Sequence, residues 1–471
     1  MACKHCIEAK ASEKIFGRPM GRRDLFKGLS AITGGLFLSN LIPTAAKASP
    51  LDKNRKFVFA YFDGGWDILL GLDPRDPATN TPASTQIDPG YDQLAYGMNT
   101  IQQAGALKFG PAVPASFLSV AGECSVVNGV GMDTAAHEVG RRYFITGQFP
   151  RGLDAVGSSV GAYAASQLGE GSQIPFIAAG TEAYNDGLPD FASALTVNTL
   201  NDMSIALNPL VPLDPAVKSA MEAYQNGGPG CAGWALNRDG LVAKLEDSIT
   251  RSRGYVTAML GANFDLTRTD AEMMALYALY DIAGAQGDLG SPEVLSFLTG
   301  QALKKGISQC VSVRMANSLD THSNWAQDQQ PNQLRGWKSL GALITDLKNT
   351  AGTMPGTTML DETTILAFSE FGRTPLFNSI RGRDHFLGNS ALIAGAGVKH
   401  GLTVGKSADV GMMPVYCDPV SGIGYDDPPQ AQIDSGTVEM LSPQHVIATV
   451  LASAGIDYSY LRVNPIQALL P

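Results

Sequence analysis

The sequence predicts an α/β fold with a doubly wound, mostly parallel central sheet and helices on both faces. Short runs of β-branched and aromatic residues recur along the chain, with segments of helical spacing between them. Polar clusters follow directly on the ends of the strand-like runs, where open α/β sheets bind their ligands. The 471 residues suffice for a large core, and 44% apolar with 17% charged residues is a globular composition.

The first 48 residues differ from the rest. Arg22-Arg23 sits in a basic segment, Leu29–Ile42 is a Gly- and Ser-containing apolar run, and Ala46-Lys47-Ala48 has a small-x-small pattern. This reads as a cleaved twin-arginine signal handed to the twin-arginine export machinery, leaving a single domain over residues 49–471 in the periplasm or outside the cell. The apolar run of about 14 residues is too short to cross a bilayer, so the mature form should have no stable membrane span. The leader holds 8 of the 34 Lys and Arg and 3 of the 44 Asp and Glu, so the remainder carries 26 against 41, a net of −15. No basic block remains, which argues against a nucleic-acid partner. The Cys3/Cys6 pair falls in the leader. Cys124, Cys231, Cys310 and Cys417 allow up to two disulfides in an oxidising compartment, and none has zinc-site spacing.

Each element has its own signal. Lys56–Phe62 (KFVFAYF) is a buried strand ending in Asp63-Gly64-Gly65, and residues 73–115, rich in Pro, Asn and Gln, form a long surface excursion. Ser125–Val130 is a strand leading into the stretch around His137. Leu241–Leu260, Ala271–Ala283 and Pro292–Lys305 have helical spacing, so a helical insertion is expected over about residues 210–305. Cys310–Met315 is a strand ending near Asp320, and Trp337–Lys348 is a helix. Thr363–Phe368 and Ala391–Ala394 are strands. Ser442–Ala454 is a helix with Pro443 in its first turn.

The strand ends carry the chemistry. Asp63 and Asp67 follow the first strand, His137 the second, Asp320 and His322 the third, Glu370 the fourth, and Asp384-His385 lie in the next loop. Carboxylates and imidazoles together supply the oxygen and nitrogen ligands of a divalent cation such as Zn, Mn or Ca.

At these residues the chain resembles a bacterial family known as domain of unknown function 1501. The carriers are "TTILAFSEFGRTPLFNSIRGRDHF", "ANSLDTHSNW" and the DGGWD turn, within a resemblance covering roughly residues 55–460. The resemblance implies an alkaline phosphatase-like fold, shared with sulfatases and phosphodiesterases that cleave esters with one or two metal ions. It implies metal roles for Asp63, Asp67, Asp320, His322, Glu370, Asp384 and His385. Ser369-Glu370-Phe371-Gly372 stands where phosphodiesterase relatives have Ser-Asp-His-Gly, so Phe371 replaces an imidazole. Against the sulfatase motif C-x-P-S-R-x-x-x-x-T-G, His137 takes the nucleophile position, Arg141 the arginine and Thr146-Gly147 the end. His137 and Arg141 are the catalytic candidates, with His137 a ligand or the nucleophile. Arg373 and Arg383 are the substrate-binding candidates.

The expected function is an exported, metal-dependent hydrolase of phosphate or sulfate esters acting on a small anionic ester. The alternative is a non-catalytic secreted binding or assembly protein on the same scaffold, with or without metal. A third is a metal-dependent transferase or isomerase.

Overall fold

The computed structural model describes residues 50–94, 100–169, 171–207, 260–283 and 287–471. The leader, Cys231 and the expected helix Leu241–Leu260, apart from its last residue, lie outside them. The chain divides into two units, residues 1–47 with 205–261 and residues 48–204 with 262–471. The second unit has the following architecture.

Eight strands form its central sheet: β1 (Lys56–Phe62), β2 (Cys124–Gly131), β3 (Phe176–Ala179), β4 (Leu195–Val197), β5 (Cys310–Ala316), β6 (Thr363–Phe368), β7 (Gly388–Gly395) and β8 (Thr403–Gly405). Their spatial order is β8-β2-β7-β6-β1-β5-β3-β4. Strand β7 runs antiparallel to β2 and β6, and the other neighbours are parallel. In the sheet β1 therefore lies between two strands late in sequence, and residues hundreds of positions apart share one sheet edge.

Alternation along β1 covers both faces. Phe57, Phe59 and Tyr61 join a core with Phe144 of helix α1 (His137–Thr146), Val160 of α2 (Val160–Leu168) and Val446 of α6 (Pro443–Ala452). Phe62 points the other way and packs on Trp337 of α5 (Trp325–Asn349), with ring centroids 4.8 Å apart. Burying one such ring contributes roughly 2–3 kcal/mol. Helix α3 (Ala271–Tyr280) is followed by α4 (Pro292–Lys304), whose residues Pro292–Leu303 are all buried. Ser291 caps α4 by accepting from the Val294 amide at 3.3 Å, and Pro292 occupies the first turn.

Two expectations differ from the structure. Helix α5 starts twelve residues before Trp337, despite Pro331 inside it. Its first turns bury Gln329 and Gln333, and the Gln333 amide donates to Asp67 O at 3.1 Å, so tertiary bonds outweigh the proline. The excursion over 73–115 is not all surface: Ile87, Tyr91, Leu107, Phe109, Ala112 and Val113 are buried. Cys124, Cys310 and Cys417 are buried free thiols that burial pushes well above the ordinary pKa range, to about 12 for Cys417. Among the described residues no helix is long and apolar enough to cross a membrane.

One ion pair ties the start of β1 to the start of β6. Lys56 Nζ lies 2.9 Å from Glu362 Oε2, with both side chains buried. Burial alone would raise the Glu362 carboxyl, but the hydrogen bonds from Lys56 and Thr353 outweigh it and bring it down to about 2. That value is below the ordinary glutamate pKa of about 4.3, so the pair stabilises fully above the ordinary value and its contribution is lost as pH falls toward 2. Lys56→Met should cost about 3 kcal/mol at neutral pH in chemical denaturation. The gap to wild type should close in acid, because the variant has no charged pair left to lose.

Candidate metal centre

The centre is built where β1, β5 and β6 end. After β1 the chain turns through Gly64 and Gly65 at φ +110 and +79. A Cβ on Gly64 would sit 2.7 Å from the backbone nitrogens of Leu319 and Asp320, so glycine lets this turn lie against the segment carrying Asp320. The Gly64 amide donates to Glu370 Oε1 at 2.8 Å.

Glu370 is fully buried at the end of β6. The same Oε1 lies 2.9 Å from His137 Nδ1, and Oε2 accepts from the Ser369 hydroxyl at 2.9 Å. Burial would raise this carboxyl, but the bonds from His137, its own backbone amide and Ser369 leave it below its ordinary pKa. His137 is the first residue of α1. Gly140, one turn on, lets the helix approach: a Cβ there would lie 2.3 Å from Glu370 O. Burial pulls the His137 imidazole down, yet the Glu370 bond and the charges of Glu370 and Asp320 raise it overall.

The other two imidazoles come from the loops after β5 and before β7. His322 Nδ1 lies 2.7 Å from Asp384 Oδ1. The loop leading to Asp384 holds this pair, since Asn378 donates to His322 O at 2.9 Å and to Asp384 at 3.1 Å. Gly382 is needed there, because a Cβ would fall 1.9 Å from His322 O. His385 sits in a short antiparallel pair opposite Arg373, and its Nδ1 lies 2.6 Å from Ala135 O. Burial holds His385 below its ordinary pKa, and hydrogen bonding to His322 holds Asp384 below its own.

All three Nδ1 atoms therefore face acceptors: two carboxylates and a carbonyl. A carbonyl accepts only, which fixes the Nδ1–H tautomer for neutral His385, and the carboxylates favour it for His137 and His322. The three Nε2 atoms turn toward Asp320, 3.4 Å from His137, 3.2 Å from His322 and 3.3 Å from His385. The Nε2 atoms of His322 and His385 are 2.9 Å apart. His137 Nε2 is buried and has no hydrogen bond. Asp320 is held well down, to about 2, because the Arg373 hydrogen bond and charge outweigh its burial. Among the described residues, His137, Asp320 and His385 bring their ligand atoms within 4.8 Å of one another.

The other candidates lie elsewhere. Asp67 is buried in an ion pair with Arg383 Nε at 3.0 Å and accepts from Trp325 Nε1 at 2.7 Å. Arg383, equally buried, donates to Thr374 O at 2.8 Å and to Asp88 O. This pair clamps loops and presents no free charge to a ligand. Arg373 is buried as well, bonded to Gly64 O, to Gly65 O at 3.0 Å and to Asp320 Oδ1 at 2.7 Å, so it acts by placing Asp320. Arg141 pairs with Glu182. Asp63 accepts from the Tyr61 hydroxyl at 2.9 Å, and burial with the Glu370 charge raises its pKa. The Ala135 carbonyl and Gly140 were invisible as site residues, since a backbone oxygen carries no side-chain signal.

Residues 55–421 match the family model described as Protein of unknown function (DUF1501), well over half of the chain, and the chain belongs to that family. No curated protein matches it.

Because α1 touches the Glu370 backbone at Gly140, Gly140→Ala should push the helix away and cost about 1–3 kcal/mol in thermal or chemical unfolding. A variant as stable as wild type would show that this contact does not fix the helix.

Proposed function

We propose that this member of the DUF1501 family is an exported, metal-dependent hydrolase of phosphate or sulfate esters. In this reading His137, His322, His385 and Asp320 hold one divalent ion, and an alkaline phosphatase-like fold and the twin-arginine leader belong to the same proposal. The observation that carries it is the orientation of the three imidazoles. Each gives Nδ1 to an acceptor and turns Nε2 to a shared point, which is how metal-ligating histidines are held. The Nε2 atoms of His322 and His385 lie 2.9 Å apart beside a carboxylate, a separation that a shared proton or a bound cation stabilises. Four-coordinate sites with bonds of about 2.0–2.1 Å separate their ligand atoms by about 3.3 Å, near the 3.2–3.4 Å seen around Asp320. Three nitrogens and one oxygen suit Zn or Mn and disfavour Ca, which takes oxygen ligands.

A divalent ion here supplies Lewis-acid chemistry, acidifying water and neutralising charge on an ester oxygen. The chain's own groups prepare the place. Glu370 and Asp384 fix the rings of His137 and His322, and the Glu370 bond and charge raise the His137 pKa. Arg373 keeps Asp320 ionised. Asp320 and His322 stand about half exposed, at 47% and 44%, so a substrate reaches them from solvent while His137 closes the rear.

A second reading is a non-catalytic binding protein. It is favoured by the placement of Arg141, Arg373 and Arg383, all engaged by protein acceptors, and by the histidine where ester hydrolases carry a hydroxyl or thiol.

The purified full-length protein, expressed with Zn or Mn, should carry about one ion per chain and turn over p-nitrophenyl phosphate, bis(p-nitrophenyl) phosphate or p-nitrophenyl sulfate. Asp384→Asn should weaken metal affinity about 10–100-fold. His385→Ala and Asp320→Ala should lose both metal and turnover. Metal without turnover would favour the binding protein, and neither would sink both metal readings.

A further inference from the structure

Arg314 lies on β5, one of the strands whose ends build the centre. It is half-buried near the end of β5, in register with Tyr61 of β1. Among the described residues, the other buried or half-buried arginines have hydrogen bonds or ion pairs: Arg55, Arg75, Arg141, Arg142, Arg268, Arg373 and Arg383. Arg314 has neither. A half-buried guanidinium without a partner forgoes the charge-assisted bonds its five donors can make.

Two neighbours leave it open. Gly180 follows β3, and a Cβ there would meet Arg314 Cβ at 3.3 Å and Nε at 3.5 Å. A side chain at 180 would therefore lie against the Arg314 stem and Leu295. The next residue, Thr181, has a buried hydroxyl without a hydrogen-bond partner. The nearby acid, Glu182, is occupied by Arg141, Arg142 and Tyr184 and does not reach Arg314. The Arg314 charge acts on the Asp63 carboxylate and lowers its pKa, without an ion pair between them. The Leu319 amide donates to Asp63 O at 3.3 Å, so this corner adjoins the segment that bears Asp320.

We propose that Arg314 and Thr181 form an anion subsite that holds a non-reacting oxyanion group of the substrate, a carboxylate, phosphate or sulfate. That the anion belongs to a substrate rests on the hydrolase reading. The subsite supplies the positive charge that Arg141, Arg373 and Arg383 do not offer, and it selects ligands with a second acidic group beyond the ester.

The test is calorimetric titration of the full-length protein with inorganic phosphate. Arg314→Gln should bind phosphate at least about tenfold more weakly, Arg314→Lys should retain much of the binding, and Thr181→Val should lose less than Arg314→Gln. In His385→Ala, which removes an imidazole from the metal centre, the Arg314-dependent binding should persist. Thermal unfolding checks that each variant is folded. Equal phosphate affinity in wild type and folded Arg314→Gln overturns the subsite, whatever metal and turnover show. Arg314-dependent binding in a protein without metal or turnover removes the hydrolase reading and keeps the anion site.

Discussion

A single buried carboxylate organises this molecule. Glu370 accepts from the Gly64 amide, the His137 ring and the Ser369 hydroxyl, and so joins the turn after β1, the start of α1 and the end of β6. A buried carboxylate without donors is costly, so the three elements must meet there for the core to close. Glycine at 64 and at 140 is what allows the approach. The price of this arrangement is sequence freedom at those two positions.

The same bond has a chemical consequence. By holding Nδ1 it leaves the Nε2 of His137 facing inward, and Asp384 and the Ala135 carbonyl do the same for His322 and His385. Three Nε2 atoms then surround Asp320, itself kept ionised by Arg373. Packing and site chemistry are therefore not separate layers here: the contacts that seat α1 on the sheet also aim the ligand atoms.

Much of the sheet was legible because its strands are buried on both faces and read as continuous apolar runs, as in KFVFAYF and TTILAF. The placement of polar residues after strand ends pointed to one sheet edge, and His137, Asp320, His322 and His385 do meet there. What charge alone did not reveal is direction. Asp67 and Arg383 look like site residues in the sequence, yet they neutralise each other inside the core. Arg373 and Arg141 likewise spend their donors on the protein, whereas Arg314, inside a strand-like run, gave no motif to notice. The antiparallel course of β7 was also hidden, since the short apolar run Ala391–Ala394 has no direction. The start of α5 was missed because Pro331 and a glutamine-rich segment suggest a loop until their tertiary bonds are known.

The central claim is that three imidazoles share one ion with Asp320. X-ray absorption fine structure on the zinc-loaded, full-length protein tests it most directly. The account predicts outer-shell scattering from three imidazoles, with the remaining first-shell ligands oxygen, and loss of one imidazole in His322→Ala. An all-oxygen or sulfur-containing shell, or one imidazole or fewer, would contradict it.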